Sequence, residues 1–343
     1  MVNEDTLTKR QSLLRSIIEG TVDQGESLPR WVPLTESGRL QLAQRIEIAA
    51  KILAQRIETN AAKPSGKRKD PAKIVVSLSD PIAPLGRDKM KVYRPLYNVQ
   101  YMIALTSNLI MSYSCEAAVS DVGTLIPMID KTQAVVGGRL QSVLADAAYC
   151  SIWDLRDCEK RNIELLAPVQ ANTFTEKKQQ SKTNAQIPRD KFLWNEVERT
   201  YQCPAGHPLT YQGRERRTRH GDRFLWQYRF QCSVLHCASC PLAEQCLRTG
   251  SRSRTIKRLE GQELLDAQRK KMATEEVTAR YGLRGQTVER GFADSKANRH
   301  WSRFHGRGLE RVRAETGLMV LTHNALILDR LERSTLNSNE STT

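Results

Sequence analysis

The segment YGLRGQTVERGFADSKANRHWSRFHGRGLERVRAE, residues 281–315, has the most informative pattern in the chain. Its residues 286–298 are predicted to form a helix. Glu289, Phe292 and Lys296 are three and four residues apart there, so they share one face over two turns. Lys296 would stand about 10 Å along the axis from Glu289, at a rise of 1.5 Å per residue. By themselves, Glu and Lys at such spacing are more typical of a solvated helix face than of a site.

Two acidic residues elsewhere share one sequence context. Asp80 ends the apolar stretch IVVSLSD (74–80), and Asp146 ends QSVLAD (141–146). If both stretches are strands, their ends bring the two carboxylates to the rim of a sheet, where Mg²⁺ is held by one or two carboxylates with substrate phosphates and water. Either Asp alone is more typical of a turn or of a helix N-cap.

The pattern around these acids alternates between strand and helix. Residues 97–105 and 109–117 are predicted to be strands of a hairpin that turns at TSN. Residues 121–136 have helical spacing, and 163–169 are a further strand candidate. The combination predicts an α/β fold.

The longest predicted helix covers residues 309–331. Its apolar positions are expected to form one face against a core. These positions are Leu309, Val312, Leu318, Leu321, Ala325 and Leu328.

The N-terminal region is polar and helix-prone. Leu42, Ile46, Ala49, Leu53 and Ile57 recur at spacings of three and four, the stripe of an amphipathic helix. Such a stripe packs on the body of the protein or, alternatively, forms a dimerising coiled coil. The Pro, Gly, Ser and charge-rich stretch that follows it, AAKPSGKRKDPAK, is predicted to be a linker.

The composition indicates a polyanionic partner. The 343 residues include 53 Lys and Arg against 38 Asp and Glu, a net charge of +15, and 39% are hydrophobic. No apolar run reaches the ~18 residues of a membrane span, and MVNEDTLTKRQS lacks the apolar core of a signal peptide. Nucleic acid is the first partner to expect and an anionic membrane surface the second.

Five of the eight cysteines are clustered. The pattern is Cys203-x28-Cys232-x4-Cys237-x2-Cys240-x5-Cys246, with His207 and His236 nearby. Without an export signal, such a cluster favours a metal site over disulfides. A structural Zn²⁺ takes four thiolate or imidazole ligands. The preferred set is Cys203, Cys237, Cys240 and Cys246, with Cys232 as the alternative; free thiols or a redox pair are the other interpretations.

Basic residues form two runs. One lies within 199–258, where Phe224, Trp226 and Tyr228 alternate with other residues, and the second spans 284–313 around Glu289. Alternating aromatics on a strand either stack on unpaired bases or form one buried face. The basic residues provide phosphate contacts or, alternatively, a solubilising surface.

Together, these motifs resemble a known family. SDP at Asp80, LADAAY at Asp146 and Tyr281-x2-Arg284-x4-Glu289-x6-Lys296 are similar to the DDE transposases of bacterial insertion sequences. The most similar branch has a zinc-cysteine insertion between the second Asp and the Glu. Other matching stretches are YRPLYNVQ (93–100), CPLAEQC (240–246), VERGFADSK and HGRGLERVRAE.

The resemblance implies an RNase H-like mixed sheet flanked by helices, interrupted by a zinc-bearing insertion domain and preceded by a short helical region. It implies that Asp80, Asp146 and Glu289 bind two Mg²⁺ or Mn²⁺ ions for DNA cleavage and strand transfer. It also implies a structural Zn²⁺, terminal inverted repeats and target DNA as partners, a homodimer or multimer on DNA, and a bacterial cytoplasmic, nucleoid-associated location. The residues expected to contact DNA are Tyr281, Arg284, Lys296 and Arg299.

The expected domains follow from this resemblance. They are a helical N-terminal region (1–60), a linker (61–73), the first part of the catalytic domain (74–170), a basic zinc-cysteine insertion (171–260), the C-terminal helices of the catalytic domain (261–331) and a disordered tail (332–343).

The sequence departs from the family pattern at three points. Four residues separate Arg284 from Glu289, where the family has three, and Ile82 stands where relatives often have a second acid. The region before Asp80 is short for the family, which favours an N-terminally truncated copy. A zinc-containing DNA-binding protein that has lost catalysis is therefore the alternative function, and a nuclease without strand transfer is the third.

Overall fold

The chain folds as two units. The first unit contains Met1–Asp121, Met128–Gly138 and Gly285–Thr343, and the second contains Val122–Pro127 and Arg139–Arg284. Both mix helices with short sheets, in agreement with the predicted α/β class. The predicted domain boundaries differ from these units and stay a prediction. The computed structural model describes residues 1–21, 28–88, 90–170, 187–218, 223–301 and 303–340.

Two helices pack against each other at the start of the first unit. Helix α1 spans Glu4–Ile18 and α2 spans Glu36–Ala61, and the side chains of Asn3 and Thr35 cap their N-termini. The predicted stripe on α2 is buried in a core shared with α1, so packing on the body is the observed alternative. The buried residues of the two helices are Leu7, Leu14, Ile17, Leu42, Ile46, Ala49 and Leu53.

The stretch predicted to be a linker has ordered turns. Asn60 donates to the carbonyl of Lys69 (2.7 Å) and accepts from its N–H (2.8 Å). Two short 3₁₀ turns, Ser65–Lys67 and Pro71–Lys73, lie on either side of Lys69.

The strand predicted at 74–80 is wrong. Only Val76 pairs, in an isolated antiparallel bridge with Val2. Beyond it, the hydroxyl of Ser77 accepts from the Asp80 N–H (3.2 Å) and bonds to the Ser79 hydroxyl (3.0 Å). These local side-chain bonds replace a strand ladder, so Asp80 lies in a loop.

Two hairpins follow. Strands β1 (Leu85–Arg87) and β2 (Tyr93–Pro95) pair antiparallel, as do β3 (Asn98–Ile103) and β4 (Ile110–Glu116). The second hairpin confirms the prediction, with Asn108 in its turn at φ 60°.

Parallel strands begin the second unit. After helix α3 (Leu125–Val136), strand β5 (Ser142–Leu144) runs parallel to β6 (Glu164–Leu166), with α4 (Ile152–Lys160) between them. Both strands and α3 were predicted.

A five-stranded antiparallel sheet forms most of the basic, cysteine-rich segment, in which the sequence indicated only a strand at the alternating aromatics 224–228. Its strand order is β11-β10-β9-β8-β7. Two short helices, α5 (Val234–Ala238) and α6 (Ala243–Cys246), lie between its last two strands. The strands are β7 (Leu193–Asn195), β8 (Thr200–Gln202), β9 (Pro208–Thr218), β10 (Phe224–Cys232) and β11 (Thr255–Leu259).

Helical segments follow the sheet up to Glu340. Helices α7 (Gln262–Met272) and α8 (Glu275–Arg284) belong to the second unit. Two π turns, Gly285–Glu289 and Asp294–Asn298, then enclose the single α turn α9 (Arg290–Ala293). The helix predicted at 286–298 is therefore helical, with π winding in two places.

The last helix, α10 (Leu309–Glu340), buries only part of the predicted face, since Val312 is in the core but three of the predicted leucines are not. Leu318, Leu321 and Leu328 are exposed, at 65%, 66% and 48%, while Val312 and Thr316 are fully buried. The hydroxyl of Thr316 bonds to the Val312 carbonyl (2.7 Å), which lets a polar residue occupy the core. The helix also continues to Glu340, where a disordered tail was predicted from 332; residues 341–343 lie outside the described part.

None of the described helices combines the length and the apolar character needed to cross a bilayer.

Ile46 and Ile48 test the packing of α2. Ile46 is 1% exposed and Ile48 46%. We expect Ile46→Ala to lower the free energy of unfolding by about 2–5 kcal/mol, because it leaves a cavity in the core. Ile48→Ala, as the control on the same helix, should change it by less than about 0.5 kcal/mol. Urea unfolding measures both, and equal losses would contradict this core.

Candidate functional site

The Asp80 carboxylate is buried and held by two donors. The Tyr97 hydroxyl donates to both carboxylate oxygens, at 2.8 and 2.9 Å, and the backbone N–H of Gly308 donates to Oδ2 at 3.0 Å. Burial and then the bond to Asp80 raise the pKa of Tyr97, so the phenol keeps the proton that it donates. The carboxylate therefore joins three segments that are far apart in sequence.

The loop that carries Gly308 is anchored by Glu315 of α10. This carboxylate accepts from the Trp301 indole (3.0 Å) and from the N–H groups of His305 and Gly306 (3.0 and 3.1 Å). Burial would raise the pKa of Glu315, but these donors outweigh it and hold that pKa below its ordinary value. Glu315 thus supports, through the loop, one donor to Asp80.

Asp146 follows strand β5 and caps the next turn. Its Oδ1 accepts from the N–H of Ala148 (2.8 Å), at the start of the 3₁₀ turn Ala147–Tyr149. Its Oδ2 lies 3.9 Å from the guanidinium of Arg284. The N-cap alternative is therefore observed for Asp146, together with a half-buried position beside a cation.

Glu289 and Lys296 lie on the helical segment with π winding. Lys296 is exposed, and its ammonium lies 5.9 Å from the ring centre of Phe292, so these two side chains share a face as predicted. The Phe292 ring stacks on Tyr101 at 4.6 Å, which anchors the segment to the β3–β4 hairpin. Glu289 is exposed and ends the first π turn.

A π turn covers the stretch between Arg284 and Glu289, where four residues stand against three in the family that the sequence resembles. A π turn closes a hydrogen bond over five residues, one more than an α turn, and such turns are frequent at functional sites. Residues five apart on it are therefore one turn apart, as residues four apart are on an α-helix. The segment is therefore helical across this spacing.

The other residues expected at DNA have different surroundings. Tyr281 lies on α8 and is half-buried. Arg299 directly follows the second π turn and pairs with Asp294 at 2.8 Å. Asp80, Glu289, Lys296 and Arg299 belong to the first unit, whereas Asp146, Tyr281 and Arg284 belong to the second.

The clustered cysteines surround a small cavity of about 20 Å³ in the second unit. The turn at Cys203 is closed by the N–H of His207, which donates to the Cys203 sulfur at 3.3 Å. The His207 and His236 rings stack at 4.4 Å. Among the residues that line the cavity are Cys203, His207, Cys232, His236, Cys237, Cys240 and Cys246.

The donors around this cavity have the chemistry of a zinc site without its geometry. All eight cysteines are described, and all are free thiols. Burial and then Cys237 raise the pKa of Cys232 to about 12, and burial also raises the pKa of Cys246. Across the described residues, no three His, Cys, Asp or Glu side chains are grouped so as to hold a metal ion. Thiol and imidazole donors suit Zn²⁺, whereas the Asp and Glu carboxylates suit Mg²⁺.

Sequence reasoning missed the roles of Tyr97, Gly308 and Glu315. Each lies within a stretch that carries the family resemblance, YRPLYNVQ or HGRGLERVRAE. The signal was therefore present, but no local pattern relates a tyrosine at 97 or an N–H at 308 to a carboxylate at 80.

Residues 202–328 match a family model described as "Transposase DDE domain". The match covers just over a third of the chain, including the clustered cysteines, Glu289 and Lys296, and it supports a DDE transposase with a role in transposition-related DNA cleavage. No curated protein and no solved structure matches the chain.

The bonds of Glu315 predict a pH-dependent contribution to stability. We expect Glu315→Gln to lower the free energy of unfolding at pH 7 by about 1–3 kcal/mol, because donors of the loop lose a charged acceptor. The folded-state pKa is lowered from 4.5, so the advantage of Glu315 is present above pH 4.5 and is lost as the pH falls through the lowered value.

Urea unfolding of both proteins between pH 7 and pH 3 measures this difference. Glu310→Gln is a suitable control, since Glu310 lies on the same helix and is 87% exposed. A difference for Glu315→Gln that stays constant over this pH range would contradict the role of its charge.

Proposed function

We propose that the chain is a DDE transposase that binds the ends of its DNA element and catalyses metal-dependent strand cleavage and strand transfer. The observation that carries the proposal is the match of residues 202–328 to the transposase DDE domain, since the matched segment contains Glu289 and Lys296. Asp80 and Asp146 lie outside it and enter through their sequence motifs. An RNase H-like fold, the zinc-cysteine branch of the family and multimers on paired DNA ends belong to the same proposal.

Asp80, Asp146 and Glu289 are the proposed metal ligands. Divalent ions, when bound, would activate the attacking hydroxyl and stabilise the leaving oxygen. Asp80 fits this role because, among the described residues, its Oδ1 accepts one hydrogen bond, from the Tyr97 hydroxyl. A carboxylate oxygen has two lone pairs, so one of them remains for a metal ion. Tyr97 and Gly308 fix the orientation of the remaining lone pair.

Four residues are proposed to position DNA. Lys296 and Arg299 lie on or just after the second π turn, and Tyr281 and Arg284 are on α8. Exposed Lys296 can hold a phosphate as a point charge, while Arg284 has its guanidinium near Asp146 and can balance charge there.

Asp146→Asn tests the catalytic assignment. Asn caps a helix about as well as Asp, so the variant keeps the turn and removes the metal-binding charge. We expect strand cleavage and transfer with Mg²⁺ or Mn²⁺ on terminal-repeat DNA to fall to background, while DNA affinity stays within about threefold. Glu289→Gln should behave alike.

The matched control is Glu276→Gln, an exposed acid on α8, which should keep full activity. Full activity of Asp146→Asn would sink the assignment. Wild-type protein that gives nicks without joined products is a nuclease, and one that only binds DNA is the decayed DNA-binding protein kept as the alternative function.

A structural Zn²⁺ in the cysteine cavity is the second part of the proposal. Cys203, Cys237, Cys240 and Cys246 are the proposed ligands, with Cys232 as the alternative. The tight turns at Cys203 and at Cys237–Cys240 support this set: in the first His207 donates to the sulfur of Cys203, and in the second Cys240 donates to the Cys237 carbonyl.

Metal analysis of protein purified without chelators tests the zinc site. We expect about one zinc per chain in the wild type and a clear loss in Cys240→Ser. Cys150→Ser, outside the cluster, should keep the wild-type ratio. Wild-type protein without zinc would exclude the site, whatever the outcome for DNA cleavage.

A further inference from the structure

The hairpin of β9 and β10 has two chemically different faces. On β10, Phe224, Trp226 and Tyr228 are half-buried and lie on one face, because side chains alternate along a strand. The strand register places Arg216 opposite Trp226 and Arg214 opposite Tyr228. We call this side of the hairpin the arginine face.

On the arginine face, exposed guanidinium groups cover the rings. Arg214 lies 4.1 Å from the ring centre of Trp226, and Arg216 lies 4.2 Å from that of Phe224. Stacking on a ring limits the rotamers of an arginine and leaves the edge of its planar fork available to donate hydrogen bonds. The two arginines are therefore ordered before any ligand binds.

The opposite face has a carboxylate among its cations. Glu215 accepts from Lys257 at 2.8 Å and lies 3.6 Å from Arg217, which also donates to Gln227 (2.8 Å). Among the described residues, by contrast, no carboxylate forms an ion pair with Arg214 or Arg216. In this part of the chain the arginine face therefore presents two cations without a carboxylate partner, whereas Arg217, Arg229 and Lys257 on the opposite face surround Glu215.

The geometry of this face points to phosphates as its ligand. Arginine forks match phosphate oxygens in geometry and charge. Arg214 and Arg216 are two residues apart, about 7 Å along the strand, which is comparable to the separation of successive phosphates on one DNA strand. A two-stranded ribbon also has the dimensions to lie along a duplex groove.

Duplex DNA fits this face better than single strands do. Unpaired bases bind by stacking on free aromatic rings, and here the guanidinium groups already occupy the ring faces of Trp226 and Phe224. We propose that the arginine face of the β9–β10 hairpin binds duplex DNA through its phosphate backbone. This inference rests on the proposed function for the identity of the partner, but it is tested by binding alone.

The experiment compares two double variants of the full chain. Arg214→Ala with Arg216→Ala removes two charges from the arginine face, and Arg217→Ala with Lys257→Ala removes two from the opposite face. Affinity for a duplex of mixed sequence, and for one of its single strands, is measured over a range of salt concentrations.

We expect the first variant to weaken duplex binding and to reduce the slope of log K against log salt by about two, since each phosphate contact contributes about 0.9. The control should change the slope by less than half as much. An unchanged slope in the first variant, an equal loss in the control, or a loss confined to the single strand would each overturn the proposal.

A measurement on the wild type guards against misfolding of the variants. Phenylglyoxal modifies arginines that are accessible, and duplex DNA should protect Arg214 and Arg216 more than Arg217. Equal protection of the three would contradict the proposal.

DNA binding by the arginine face and DNA cleavage are measured separately, so each can fail without the other. Wild-type protein with the expected salt slope but without DNA cleavage would contradict the transposase and leave the DNA-binding face standing. Asp146→Asn, in turn, should keep the full slope.

Discussion

A buried carboxylate is stable only where hydrogen-bond donors replace the water that it has lost, and Asp80 meets this condition with donors from two distant segments. Tyr97 lies just before β3, and Gly308 lies just before α10. The loop after α2, the β3–β4 hairpin and the start of the last helix are thereby joined at one group. The orientation of the proposed metal ligand depends on this junction.

The segments that meet at Asp80 are in turn held by further contacts. Gly308 has φ +87°, a left-handed conformation that favours glycine, and Glu315 holds the preceding loop from inside α10. On the other side, Phe292 stacks on Tyr101 and anchors the helical segment that carries Glu289 and Lys296 to the hairpin. Each of these contacts is a satisfied polar group or a packed ring.

The basic segment illustrates a different limit of sequence reasoning. The alternation of Phe224, Trp226 and Tyr228 is compatible with base stacking or with one buried face. In the structure the three rings are half-buried, so they are neither freely exposed for stacking nor fully in the core. Arginines of the neighbouring strand cover Trp226 and Phe224, whereas Tyr228 packs against the apolar core of the sheet. Which arginine lies over which ring is set by strand register, and a bulge at Arg229/Phe230 shifts that register within the same hairpin.

Local patterns in the sequence were sufficient for the α2 stripe, the β3–β4 hairpin, the β5 and β6 strands and the clustering of the cysteines, because each depends on spacing along the chain. They failed where local side-chain hydrogen bonds replaced a regular element or let a polar residue enter the core. Residues 74–80 were predicted to be a strand, but the Ser77 hydroxyl there accepts from the Asp80 N–H. Leu318 and Leu321 were predicted to be core, but they are exposed and Thr316 is buried. The partners of Asp80 and the arginine face of the hairpin were decided only by tertiary structure, since hydrogen bonds and ring contacts between separate segments leave no periodic trace in the sequence.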